Sequence, residues 1–168
     1  MTDSELVRAV ADGNAAALRQ LHERHAPWLA IRLSRRCSDP ALVDEVVQDT
    51  FVSVWRSARR YRGEGDVGAW IWGIAIHRLV DTYRKSRLPL LERPGWVRSA
   101  EEEVLIGVRY GNLGDALNRL SPELMAVVQA TILDGLSTRE ASHLLGIPVG
   151  TVKTRLMRAK RILREQLT

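Results

Sequence analysis

Lys153, Thr154, Met157 and Arg158 stand close together in a segment whose apolar residues Val152, Leu156, Ala159 and Leu163 step by four, three and four. That spacing predicts a helix with one side in a core and the other four residues, with Arg161, turned away from it. Their chemistry suits the edges of bases in a duplex groove. Lys153 and Arg158 can donate to guanine acceptors, Thr154 can pair with several bases, and Met157 can pack on a thymine methyl. Thr151 opens the same helix, and Arg155, Lys160 and Arg164 are placed for phosphates, which orient a protein without reading sequence. From Gly150 to Thr168, Lys153, Arg155, Arg158, Lys160, Arg161 and Arg164 face a single acid, Glu165. A solvated basic helix is the competing reading. The coincidence of turn, cap and basic face weighs against it.

The other reactive residue types point to no catalysis. His22 and His25 are three apart and could hold a metal with Glu23, but no second cluster joins them, and paired surface histidines are commoner. Cys37 is the only cysteine, with no activating base near it in sequence. There is no P-loop, no glycine-rich dinucleotide fingerprint and no HExxH motif. The sequence therefore predicts neither an enzyme nor a metal or other cofactor.

Nearly every periodic segment reads as helix, and no alternating run reads as a strand. Asp3 or Ser4 can cap a first helix to about Ala11, Ala15 to His25 resumes helically, and Pro27 can start the next helix. Asp39-Pro40 opens the clearest helix. Leu42, Val43, Val46, Val47, Thr50, Phe51, Val54 and Trp55 form its broad apolar face, while Glu45, Gln48, Asp49 and Val52 make a stripe on another side. Arg56, Arg59, Arg60 and Arg62 follow, then a loop, Gly63-Glu64-Gly65-Asp66, and a helix from Val67 to about Lys85. Trp70, Ile71, Ile74, Ala75 and Leu79 carry the apolar spacing of that helix, and Trp72 falls off it. Prolines and glycines then break the pattern over 88–113, read as a linker. Beyond it, Ser121-Pro122-Glu123 caps a helix that Gly135 ends. Ser137 with Glu140 makes a capping box, and Gly146 turns the chain into the last helix, completing a helix-turn-helix. The expected fold is all-α, with two small helical domains, 1–87 and 114–168, joined by a flexible linker.

The net charge is +5 and the apolar fraction 45%. The charge favours a polyanionic partner, and the apolar content supplies packed cores. One cysteine, no signal-peptide pattern and no stretch long enough to span a bilayer fit a cytoplasmic protein with no membrane partner.

The stretch LSPELMAVVQATILDGLSTREASHLLGIPVGTVKTRLMRAKRIL resembles the fourth conserved region of extracytoplasmic-function sigma factors. DPALVDEVVQDTFVSVW resembles part of their second region, and YRGEGDVGAWIWGIAIHRLVDTYRK its promoter-melting portion. The resemblance implies a chain that binds core RNA polymerase, on the β′ clamp helices and the β flap, and directs initiation at promoter DNA. It implies −35 recognition by Thr151, Lys153, Thr154, Arg155, Met157, Arg158 and Arg161. It implies opening and capture of the −10 strand by Arg56, Arg59, Arg60, Tyr61, Arg62, Trp70, His77 and Arg78, through stacking and backbone cations. Glu45, Gln48, Asp49 and Val52 would meet the polymerase, with Phe51 and Trp55 of the same segment read as core. Trp70 competes with a core role, and His77 stands where the family often has Asn, with a docked or capping histidine as its plainer reading. Many relatives are held by an anti-sigma factor, a further partner the resemblance implies. Glu101 to Glu103 would lie in a linker running through the polymerase. A conventional regulator with a sensor domain is the rival, but a sensor pocket predicts neither the 39–55 helix nor the aromatic-basic run after it.

Overall fold

A computed structural model of the chain describes residues 1–85 and 111–167. Among the described residues all regular structure is helical. The chain divides into two compact units, Met1–Thr82 and Tyr83–Thr168. The proline-rich and acidic parts of the expected linker, including Glu101 to Glu103, lie outside the described residues. A helix over Asn112–Asn118 starts inside the stretch read as linker.

In the first unit, α1 (Asp3–Ala11) is capped by Thr2 rather than by Asp3 or Ser4. The Thr2 hydroxyl accepts from the Glu5 amide at 3.2 Å, and the Glu5 carboxylate accepts from the Thr2 amide at 2.7 Å. The Thr2 backbone amide, with the Thr2 side chain beside the carboxylate, holds the Glu5 carboxyl below its ordinary range. Asp3 is engaged elsewhere: it accepts from Arg24 at 2.9 Å and pairs with His25 at 2.8 Å. Burial pushes the Asp3 carboxyl up, and those two partners together hold it lower than usual.

α2 (Ala15–Ser34) is capped by the Asn14 side chain and runs unbroken through Pro27, so no helix begins at that proline. An interior proline costs about 3 kcal/mol or more. The buried row Ala17, Leu21, His25, Leu29 and Leu33 offsets it, since each fully buried leucine contributes about 1.5–3 kcal/mol. His25 also accepts from the Trp28 indole at 2.9 Å through Nδ1, so its Nε2 carries the proton donated to Asp3. His22 instead lies against the Phe51 ring, with centroids 4.8 Å apart. The two histidines are thus committed to packing and hydrogen bonding. Cys37 is buried beneath the turn into the next helix.

α3 (Pro40–Ser57) has the expected Asp39 cap and Pro40 in its first turn. Val43, Val46, Val47, Thr50, Phe51 and Val54 are buried, but Trp55 is 40% exposed and is not a core residue. A short 3-10 turn (Ala58–Arg60) and a loop lead to α4 (Val67–Lys85). The Asp66 carboxylate accepts from the Gly68 amide at 3.1 Å at the start of α4. α4 buries two adjacent rows, Ile71, Ala75 and Leu79 beside Trp72, Ile76 and Val80. Trp72 is therefore core. The guanidinium groups of Arg32 on α2 and of Arg36 in the turn after it lie over its ring at 4.2 and 4.8 Å.

The second unit contains α5 (Asn112–Asn118), α6 (Pro122–Val128), a π-helical turn (Gln129–Leu133), α7 (Thr138–Leu145) and α8 (Val149–Leu167). Ala116, Leu117, Leu120, Leu124, Met125 and Val128 form a core closed by Ala159 and Leu163 of α8, with Leu156 packed at its edge. Ser121 makes no side-chain cap, and Pro122 alone preorganises the start of α6. The π turn widens the helix before Gly135, whose φ of 77° ends it. Ser137 and Glu140 form the expected reciprocal box, with bonds of 3.0 and 3.1 Å. Gly146 ends α7 at φ 67°, a left-handed conformation that disfavours side chains with a Cβ. The Ser142 hydroxyl then donates to the Ile147 carbonyl across the turn into α8.

Candidate nucleic-acid and partner interfaces

The helix-turn-helix fixes α8 by its buried side. Val152 and Ala159 are fully buried and Leu163 nearly so. Lys153, Thr154, Met157, Arg158 and Arg161 all stand exposed on the other side, and Thr151 is half-buried at the first turn. Met157 is 67% exposed, so packing within its unit does not account for an apolar side chain there. The Thr154 hydroxyl donates to the Gly150 carbonyl at 2.9 Å. Its only proton is thereby used, and what it turns outward is a pair of acceptor lone pairs and a methyl. Thr154 is accordingly suited to the amino groups of adenine or cytosine rather than to bases in general. Arg155 is half-buried and reaches Glu123 of α6 at 3.8 Å. An ion pair of that length contributes little, about 0–1 kcal/mol, so Arg155 can turn to a phosphate at small cost.

In the first unit the aromatic-basic residues gather around two cavities. Arg56, Arg60, Trp70, His77 and Arg78 line one cleft of about 610 Å³ between α3 and α4, with Ser53 and Asp81. Trp70 is half-buried there, so its reading as plain core does not hold. Its ring lies against Tyr61, with centroids 4.9 Å apart. The Tyr61 hydroxyl donates to the Gly65 carbonyl at 3.1 Å, which ties down the loop before α4. Arg78 donates to the Ser53 hydroxyl at 3.1 Å, and Ser53 donates to the Asp49 carbonyl at 2.9 Å. These two bonds aim one cation of the cleft from α3. The His77 Nδ1 sits 2.6 Å from the Gly73 carbonyl. A carbonyl only accepts, so Nδ1 carries the proton, and the ring reaches a base as a second donor only when protonated.

Arg59, Tyr61 and Arg62 lie instead around a separate cavity of about 350 Å³. Arg8 of α1 completes it, and no sequence pattern signals Arg8, which is remote from the others along the chain.

The third surface is the outer stripe of α3. Glu45, Gln48, Asp49 and Val52 are all exposed, Val52 at 47%. Trp55 follows Gln48 by seven residues, two helical turns, and joins this stripe as a large apolar group that sequence spacing alone assigns to the core. Acids flanking an exposed valine and tryptophan make a face suited to a partner with both basic and apolar groups.

Among the described residues no group of three or more His, Cys, Asp or Glu could hold a metal, and no helix is long and apolar enough to cross a membrane.

Comparison with known proteins matches residues 21–88 to the family model described as Sigma-70 region 2 and residues 110–163 to that described as Sigma-70, region 4. The ECF RNA polymerase sigma factor SigM of Mycobacterium tuberculosis is 33% identical over 166 residues, covering 95% of this chain and 81% of that protein. The ECF RNA polymerase sigma factor RpoE of Cereibacter sphaeroides is 29% identical over 169 residues, covering 97% and 93%. Among solved structures, that of CnrH in complex with the cytosolic domain of CnrY is 30% identical and covers 98% of this chain and 96% of its own, with a TM-score of 0.48.

Proposed function

The chain belongs to the extracytoplasmic-function family of sigma-70-type RNA polymerase sigma factors, and from that premise we propose how its surfaces divide the work of promoter-specific initiation. The stripe Glu45, Gln48, Asp49 and Val52, extended by Trp55, docks on the β′ clamp helices of core RNA polymerase. The C-terminal unit contacts the β flap and sets the exposed side of α8 into the major groove of the −35 element. Lys153, Thr154, Met157 and Arg158 read base edges there, and Thr151, Arg155 and Arg161 hold the backbone. The cleft between α3 and α4 takes a base of the opened −10 strand.

One observation carries this reading. Trp70 does not complete the core but stands half-buried in a cleft with Arg56, Arg60, His77 and Arg78. An aromatic face among cations is what an unstacked nucleotide requires, at about 1–3 kcal/mol per stacked base. Asp81 adds an acceptor that favours a base with an exocyclic amino group. Two readers that engage one promoter together raise the effective concentration of the second contact. Domain limits of 1–87 and 114–168, with 88–113 between them, belong to the same proposal. So do a cytoplasmic location, the absence of catalysis by the chain itself and control by an anti-sigma factor.

The test is permanganate reactivity of unpaired thymines in complexes of the chain, core RNA polymerase and a promoter. Reactive thymines around −10 are expected with the native chain. Trp70→Ala should lose most of that reactivity while duplex contacts at −35 persist. Full reactivity in Trp70→Ala, with Arg56 and Arg60 also replaced, would remove the cleft from strand capture.

A further inference from the structure

The cavity that Arg8 completes is separate from the Trp70 cleft and has a composition of its own. Val7, Ala11 and Ala58 form its apolar lining, and Arg8, Arg59 and Arg62 bring three guanidinium groups to it against one acid, Asp12. Among the described residues none of the three arginines forms an ion pair. Arg59 is held from behind, its Nε donating to the Ala11 carbonyl at 3.2 Å and so joining the segment after α3 to the end of α1. Arg8 reaches toward the loop: a Cβ on Gly63 would lie 3.6 Å from its Nη2. Three cations around one void repel each other, and an anion there relieves the repulsion. The volume, about 350 Å³, exceeds what a phosphate alone needs and falls in the range of small-ligand sites.

Tyr61 links this cavity to the neighbouring cleft. It lines the Arg8 cavity and packs on Trp70, which lines the other. Tyr61 thus borders the Arg8 cavity and also touches the ring against which a captured nucleotide would stack.

We infer that the Arg8 cavity is a second nucleotide subsite for single-stranded DNA, in which Arg8, with Arg59 and Arg62, pairs with a backbone phosphate adjacent to the captured base. This rests on the strand-capture reading above and adds a residue of α1 to it. Arg8 is exposed on α1, so its replacement leaves the fold intact.

The experiment uses holoenzyme assembled from the full chain and core RNA polymerase. The probe is a fluorescent single-stranded deoxyoligonucleotide carrying the non-template −10 sequence of a promoter located by transcript mapping. Arg8→Ala should bind it about tenfold more weakly, and the slope of log affinity against log salt should flatten by about 0.7, the value of one single-strand phosphate contact. Arg8→Lys should keep most of that slope. In a series with each linkage in turn replaced by methylphosphonate, one position should weaken the native chain about as much as Arg8→Ala and cost Arg8→Ala nothing further. Equal affinity and slope in Arg8→Ala, or methylphosphonate penalties that all add to it, would overturn the subsite. So would Arg8-dependent binding of a free deoxynucleoside monophosphate with no such dependence for the strand. If native holoenzyme does not hold the probe at all, strand capture itself fails. If it does and Arg8→Ala is unchanged, only this inference fails.

Discussion

Replacing Arg158 by Ala separates sequence reading from everything else that α8 does. Arg158 is exposed, while its neighbour Ala159 fills the core. The change should therefore leave unfolding stability within about 0.5 kcal/mol of native. A side chain that donates to a base edge contributes about 1–3 kcal/mol of discrimination, so preference at one −35 position should fall by about 5- to 150-fold. Lys153 stands five residues earlier, about 7.5 Å along the helix axis. At about 3.4 Å per base pair, Lys153→Ala should relax a different position roughly two base pairs away. The assay is initiation by holoenzyme on promoters with a randomised −35 element, read by sequencing the transcribed templates, with thermal melts of each variant alongside. An even loss of activity across all sequences would make Arg158 a phosphate contact. An unchanged preference would remove it from the reading set.

Trp55→Ala should weaken binding to core RNA polymerase by about thirtyfold or more, the effect of losing a central aromatic contact. It should disturb folding far less than Phe51→Ala, which should cost about 3–5 kcal/mol; titration of labelled chain with core enzyme and denaturant melts measure the two effects. Gly146→Ala forces a side chain into the left-handed turn before α8 and should destabilise by about 1–2 kcal/mol, seen as a lower melting point. Asp3→Asn tests the Arg24–Asp3–His25 network. The folded carboxyl lies below its ordinary value of 3.8, so its stabilising effect is present above that pH and is lost as pH falls through the lower folded value. Native chain should accordingly be more stable than Asp3→Asn near neutrality, and the difference should close below about pH 3.8 in a series of melts.

The helix-turn-helix was legible because its signals are local. The Ser137–Glu140 box, the Gly146 turn and the buried steps of α8 each lie within a few residues, and the structure has all of them. The tryptophans were not legible in the same way. On α3 the row Val43, Val47, Phe51, Trp55 looks apolar throughout. Each four-residue step turns about 40° around the helix, so by Trp55 the row has swung well away from the core. The parallel row Val46, Thr50, Val54 and Ala58 stays inside to the end. On α4 the opposite happens: Trp72 starts a second buried row, and Arg32 of α2 and Arg36 just beyond it cover its ring, which α4's own spacing does not reveal. Pro27 reads as a helix start from local rules, yet the leucines on either side of it are buried on one continuous face. Arg8 carries no local signal, since only folding brings α1 beside the segment that follows α3.

Adding the purified chain to core RNA polymerase on genomic DNA, and sequencing the 5′ ends of the transcripts, addresses initiation itself. The division of labour described above predicts discrete starts, absent with core enzyme alone, each preceded by the same pair of −35 and −10 elements. Transcripts that begin at the same scattered places with and without the chain would contradict it.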